Sequence, residues 1–296
     1  MANFRFDRAV SVRLCHLICR LSSRPYRARV PILMYHSIGD RTLRRHPYYE
    51  TSTSPRVFAE QMKHLRDSGY RALDLDEAIR SFELGENLAK RVVITFDDGL
   101  RDFYTTAYPI LKEYNFSATM FLPTGFISDK ATKQAGKDCM TWSEVRELRL
   151  NGIRFGSHTV SHPQLRLLAA REIAEETGRS KQIIEDKIGS PVTSFSYPFA
   201  FPQADGAFTQ GLRDILEKHG YQNGVSTVIG TAQARHDRFF LPRLPVNSFD
   251  DLLFFRAKLE GAYDWLQALQ YVHKLTQDNT NRLFSATFTR VSHWFN

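Results

Sequence analysis

Seven residues, Val93-Ile94-Thr95-Phe96-Asp97-Asp98-Gly99, constrain this chain more than any other stretch. A β-branched and aromatic run reads as a buried strand of a parallel sheet, and this one stops abruptly at two adjacent carboxylates. In α/β sheets and barrels, ligands bind at the carboxyl ends of the strands. Neighbouring side chains of an extended strand point to opposite faces. The two aspartates therefore serve different partners in one site only where the chain is already turning, which Gly99 permits. One carboxylate is then placed for a metal and the other for a water molecule. The competing reading is an ordinary polar turn built on Asp98-Gly99.

A second stretch, Phe155-Gly156-Ser157-His158-Thr159-Val160-Ser161-His162-Pro163, tilts the balance. Histidines four apart share one face of a helical turn, so both imidazoles reach one cation. Two neutral imidazoles and one carboxylate are a common ligand set for a divalent ion and leave positions for water and substrate.

In that order, Thr95-Phe96-Asp97-Asp98-Gly99 and Ser157-His158-Thr159-Val160-Ser161-His162 resemble the first two motifs of the polysaccharide deacetylases, carbohydrate esterase family 4. The likeness covers residues 30–246. It implies an α/β fold, a distorted (β/α) barrel of about seven parallel strands, and metal-dependent removal of N-acetyl groups from amino sugars. By family role Asp97 is the base, and Asp98, His158 and His162 hold the ion, expected to be zinc. Met34-Tyr35-His36 is similar to an element of one branch of the family, whose histidine stands where the general acid usually does. That role carries over to His36.

The chain also departs from the family pattern. Where members carry Phe-Arg-Pro-Pro-Tyr-Gly, this sequence reads Phe195-Ser196-Tyr197-Pro198-Phe199-Ala200. A serine offers no bidentate charged fork to the base. Arg243, near the end of a strand expected over 237–246, is the substitute candidate, against the alternative of a surface salt bridge. The resemblance puts the oxyanion donor at the Phe199 backbone amide, with Tyr197 and Pro198 alongside. The family's late Leu-x-His motif is replaced by Leu244-Pro245-Val246, which is consistent with the early His36. Trp142 precedes a helix opened by the capping-box pair Thr141 and Glu144. It is read as core packing, with sugar stacking as the alternative.

Between these motifs helical and strand patterns alternate: helices over 55–68, 76–84, 104–114, 142–150 and 167–188, strands over 31–36, 70–73, 118–122 and 193–200. That alternation is the mark of a parallel sheet. Three units follow: a basic helix within 1–29, the barrel over 30–246, and a helical extension over 247–296. Residues 40–53 read as a solvated polar loop, with the lining of a substrate groove as the alternative.

The chain has 296 residues, 42% hydrophobic and 24% charged, ordinary values for a soluble globular protein. No run of about eighteen apolar residues appears. Three cysteines, Cys15, Cys19 and Cys139, form no Cys-x-x-Cys pair and fit a reducing compartment. The net charge is +8, yet residues 1–29 alone hold seven arginines against Asp7. The excess therefore belongs to a helix expected over 8–24, whose Val10, Leu14, Leu17 and Leu21 form an apolar stripe beside Arg13, Arg20, Arg24 and Arg27. Such a helix suits an anionic membrane surface, or packs on the barrel with its arginines solvated. With the charge so localised and no nucleic-acid module present, nucleic acid is not an expected partner.

The expected function is deacetylation of amino sugars in a bacterial-type surface polysaccharide or its lipid-linked precursor, in the cytoplasm at the inner face of the membrane. The alternatives are amide hydrolysis on a small non-sugar substrate, or a catalytically silent carbohydrate-binding protein. The sequence carries no signal of oligomeric state.

Overall fold

The computed structural model describes residues 5–15, 29–39, 50–272 and 274–275. Its centre is a parallel sheet of eight strands: β1 (Ile32–Tyr35), β2 (Arg71–Leu73), β3 (Arg91–Phe96), β4 (Thr119–Leu122), β5 (Arg154–Ser157), β6 (Ser194–Ser196), β7 (Asn223–Ile229) and β8 (Leu241–Pro245). Seven of them close into a ring, running β1, β8, β7, β6, β5, β4, β3 and back to β1. β2 stays outside the ring. It pairs with the first half of one edge of β3, where Leu73 lies opposite Val93, and β4 takes over that edge further on, where Thr95 lies opposite Thr119. The shared edge is what distorts the barrel. Both faces of these strands are covered, so Val92 to Phe96 and Thr119 to Leu122 are all buried, as their unbroken apolar runs require.

The helices begin where side chains satisfy their first N–H groups. α1 (Pro55–Asp67) starts after Ser54, whose Oγ accepts from the Val57 N–H, and has proline at its first position. α2 (Leu75–Glu83) and α4 (Trp142–Leu150) open on reciprocal capping boxes, Asp74 with Glu77 and Thr141 with Glu144. α3 (Tyr108–Glu113) continues a π-helical turn, Phe103–Ala107. α5 (Ala170–Ile188) begins later than the periodicity predicts, because Leu165–Leu167 forms a separate 3-10 turn. α6 (Gly206–Lys218) and α7 (Leu252–Leu259) follow, with further helical residues at 265–272 and 274–275. Tyr35, Phe58, Phe96 and Phe103 interlock between strand and helix, with ring centres 4.7 to 5.8 Å apart in contacting pairs.

The two ends of the chain meet. Helix Phe6–Val10 continues as a π-helical turn, Ser11–Cys15, and packs on α7 and the turn after it. Buried Asp7 accepts from the Tyr263 hydroxyl at 2.9 Å, and the Trp265 ring N–H donates to Ser11 Oγ at 3.0 Å. Arg5 reaches Asp250 at 3.2 Å, and Lys258, itself buried, holds the same carboxylate at 2.7 Å. Residues 5–15 thus pack, but on the carboxyl-terminal extension rather than the barrel, and with Arg5 in ion pairs rather than solvated; the rest of the helix expected over 8–24 lies outside the described residues. Residues 40–49 and, of the expected helical extension, 276–296 lie outside them too. At 50–53 the solvated-loop expectation is corrected. Glu50, Ser52 and Thr53 are buried, and Ser52–Thr53 pairs in parallel with Ser37–Ile38. No helix among the described residues is long and apolar enough to cross a membrane.

Candidate active site

β3 delivers both aspartates to the carboxyl end of the barrel. Asp97 continues the strand and is 2% exposed, whereas Asp98 turns into the left-handed region at φ 74°, followed by Gly99 at φ 62°. The turn lets two consecutive carboxylates converge on one site. A side chain at Gly99 would strike the Ile127 methyl at 2.8 Å, so the position needs glycine on two counts.

β5 delivers the histidines. His158 is buried, and its Nδ1 lies 2.8 Å from the Ser196 carbonyl. A carbonyl only accepts, so Nδ1 carries the proton and Nε2 presents a bare lone pair. That lone pair faces His162 Nε2 at 3.1 Å and Asp98 Oδ1 at 3.8 Å, and His162 Nε2 is 3.4 Å from the same oxygen. The helical turn expected for this pair is not formed. Thr159 and His162 take left-handed φ values of 69° and 56°, and a non-helical loop folds the second ring back onto the first. Glu176 of α5 holds this loop, accepting from Val160 N–H, Ser161 N–H and the Ser161 hydroxyl at 2.8 to 2.9 Å. Burial, and then the neighbouring His158, push His162 down to about 4. His162 is therefore neutral at ordinary pH and able to serve as a ligand.

Asp98, His158 and His162 offer three ligand atoms within 4.8 Å of one another, the arrangement a divalent cation requires. Asp98 Oδ1 is buried yet has no hydrogen-bond partner. A buried carboxylate oxygen facing two imidazole nitrogens is costly when left alone and is satisfied by a cation, so the residues fit one.

Asp97 faces a different partner. Arg243 is fully buried and spends all five N–H donors: Nε on the Ser226 carbonyl, Nη1 on Thr95 Oγ1 and Asp97 Oδ1, Nη2 on Asp97 Oδ2 and Ser196 Oγ. The two bonds to Asp97 measure 2.9 and 2.8 Å. Burial pushes the Asp97 carboxyl up, but the Arg243 charge and the hydrogen bonds it donates more than offset this and hold it well below the usual carboxylate range. His36 follows β1 and places Nε2 4.0 Å from Asp97 Oδ2.

A family model described as polysaccharide deacetylase matches residues 85–224. YxkH of Bacillus subtilis, a protein named for the same family, is 33% identical over 221 residues, which cover 74% of this chain and 72% of that protein. The chain belongs to the polysaccharide deacetylase family. Among other relatives, the poly-beta-1,6-N-acetyl-D-glucosamine N-deacetylase of Staphylococcus aureus is 24% identical over 213 residues, covering 68% of this chain and 71% of that enzyme. The solved structure of the Streptococcus pyogenes deacetylase PplD in complex with acetate superimposes with a TM-score of 0.67 at 28% identity, over 79% of this chain and 99% of that one.

In this member of the family, Ser196 donates to Asp97 Oδ1 at 3.3 Å while receiving Arg243, so the small residue on β6 makes room for an arginine from β8. Phe199 is half exposed at φ 59°, its ring 4.6 Å from that of His162 and its carbonyl pinned by the Thr227 hydroxyl. Two expected substrate contacts, and the sugar-stacking alternative for Trp142, are corrected. Tyr197 is 2% exposed and packs edge-on against Phe201, and Pro198 beside it is buried as well. Trp142 is 3% exposed in the core, with the Lys187 ammonium 5.9 Å from its ring, which leaves no open face for a sugar. Sequence reasoning missed Glu176, Thr95 and Thr227. Each acts through bonds to residues far along the chain, and no local pattern marks them.

Proposed function

We propose that this protein hydrolyses N-acetyl groups of amino sugars in a bacterial-type surface polysaccharide or its lipid-linked precursor, with a divalent ion, best matched by zinc, held by Asp98, His158 and His162. The observation that carries the reading is a buried, arginine-clamped carboxylate at one shoulder of a three-residue cluster of aspartate and two histidines. When bound, the ion supplies a positive centre that polarises the acetyl carbonyl and acidifies water. Asp97 accepts the proton of the attacking water. Arg243 keeps that carboxylate ionised and fixes its direction, so the base needs no reorganisation before reaction. His36 lies on the open side of Asp97 and hands a proton to the departing amine. The Phe199 N–H, on a residue whose left-handed turn re-aims the backbone, donates to the oxyanion, a contribution of roughly 3–4 kcal/mol in comparable sites. The test is acetate release from oligomers of β-1,6-linked N-acetylglucosamine, abolished by a chelator and restored by zinc. Intact protein that releases no acetate with zinc present would overturn the proposal.

We also place the protein at the inner face of the membrane, on the strength of the basic charge within residues 1–29 and the exposure of Arg13 and Leu14. Because Asp7 and Ser11 are structural, deletion of this segment is a poor test. Replacing Arg13, Arg20, Arg24 and Arg27 by glutamate should move the protein from the membrane to the soluble fraction. No change on that replacement counts against the assignment.

A further inference from the structure

Beside the catalytic cluster lies a cavity of about 310 Å3 lined by His36, Glu50, Ser52, Asp98, Gln134 and Lys137, among others. It sits at the small end of ligand pockets, a size that admits one ring rather than a run of them. One wall is a short hairpin, Lys133–Gln134 paired antiparallel with Lys137–Asp138, whose tip residues Ala135 and Gly136 take φ values of 49° and 83°. The hairpin is registered to the catalytic turn. Cys139 bridges Leu100, and the Met140 N–H donates to the Gly99 carbonyl at 2.9 Å, one residue beyond Asp98. On its far side Lys137 Nζ donates to Ser52 Oγ at 3.2 Å, which fixes the hairpin to the opposite wall.

Within this wall Gln134 Oε1 is buried and has no hydrogen-bond partner. A buried, unanswered acceptor costs about 1–3 kcal/mol, and this one belongs to a residue that lines the same cavity as the candidate ligand Asp98. We propose that Gln134 is a specificity-determining residue whose Oε1 accepts a hydrogen bond from a ring hydroxyl of the glycan, holding the sugar beside the acetyl group under attack. The assignment rests on the proposed deacetylase activity.

The experiment compares wild type, Gln134→Leu and Gln134→Glu on two probes: an oligomer of β-1,6-linked N-acetylglucosamine, and p-nitrophenyl acetate, which carries an acetyl group but no sugar. Gln134→Leu should lower the ratio of glycan to ester kcat/KM by about 3- to 10-fold, the range expected for one neutral hydrogen bond, chiefly through KM. Gln134→Glu, which keeps an acceptor oxygen, should restore most of that ratio. Thermal unfolding supplies the control. Leucine removes an unsatisfied acceptor, so Gln134→Leu should unfold no earlier than wild type, whereas a merely structural glutamine would cost stability. An unchanged ratio in Gln134→Leu, with wild type active on the glycan, overturns this assignment alone. Wild type active on the ester but on no N-acetylated glycan overturns the proposed function and this assignment with it.

Discussion

Arg243 grips both carboxylate oxygens of Asp97, at 2.9 and 2.8 Å, from a strand 146 residues further along the chain. Both side chains are out of contact with solvent, at 0% and 3% exposure. A surface salt bridge of this kind is worth little. A buried pair is strongly destabilising to break, because the surviving charge is left unpaired in a low-dielectric site.

Arg243→Ala should therefore destabilise the fold by about 3–5 kcal/mol, measured by urea denaturation, in addition to abolishing turnover. Its loss of activity is then not separable from its loss of structure. Arg243→Lys keeps a charge but not the fork, and should fold while losing on the order of 100-fold in kcat through misplacement of the base. Bound metal should remain at the wild-type level in Arg243→Lys. Full activity in Arg243→Lys would show that bidentate geometry is irrelevant.

The two aspartates should separate by metal content. Asp97→Asn should retain the ion and lose roughly 100- to 10,000-fold in acetate release, the usual contribution of a general base. Asp98→Asn and His158→Ala should lose ion and activity together. Metal analysis of each purified variant beside its rate decides, and near wild-type turnover by Asp97→Asn would remove it as the base.

Ser196 and Arg243 occupy one volume in complementary ways. Ser196→Arg alone forces a second guanidinium against a fully buried one, and should destabilise the protein by several kcal/mol. Combining it with Arg243→Leu empties the space and lets the new arginine reach Asp97 from β6. The double variant should be more active than Arg243→Leu alone. If it is not, the two positions are not interchangeable sources of the tether.

The joined termini are a stability element. Tyr263→Phe removes a hydrogen bond to the buried Asp7 carboxylate and should cost about 1.5–3 kcal/mol, the range for bonds to charged groups. Deletion of residues 1–15 should cost at least as much, since it uncovers Asp250, Lys258 and Trp265. Urea midpoints of the three proteins provide the comparison.

His236 supplies a pH dependence away from the metal cluster. Burial, and then the Arg235 charge, push its imidazole down to about 4, and its Nδ1 accepts from the Gln233 N–H at 3.1 Å. The unfolded chain takes up this proton near pH 6.5 and the folded protein near 4. Between those values the unfolded state binds more protons, and stability falls as pH falls. Below about 4 this group adds no further loss. Unfolding free energies from pH 7 to 4.5 should fall less steeply in His236→Gln than in wild type, and parallel curves would exclude the assignment.

The amino-acid sequence by itself determined what is local. The unbroken apolar run into Asp97, the capping boxes at Asp74 and Thr141, and the helical periodicities of α1 to α5 are short-range preferences, and they place the barrel's elements nearly where they lie. The spacing of the histidines marked a site but misdirected its geometry. A four-residue separation reads as a helical turn, whereas left-handed Thr159 and His162, pinned from α5 by Glu176, bring the rings together by folding the loop back. Tertiary structure decided the rest: that Tyr197, Pro198 and Trp142 turn inward, that residues 5–15 dock on the carboxyl-terminal extension, and that β8 supplies the arginine missing from β6. The physical reason is that closing the barrel sets side by side residues far apart in sequence. A buried charge is satisfied by whichever donor that closure brings within reach, and position along the chain records no trace of it.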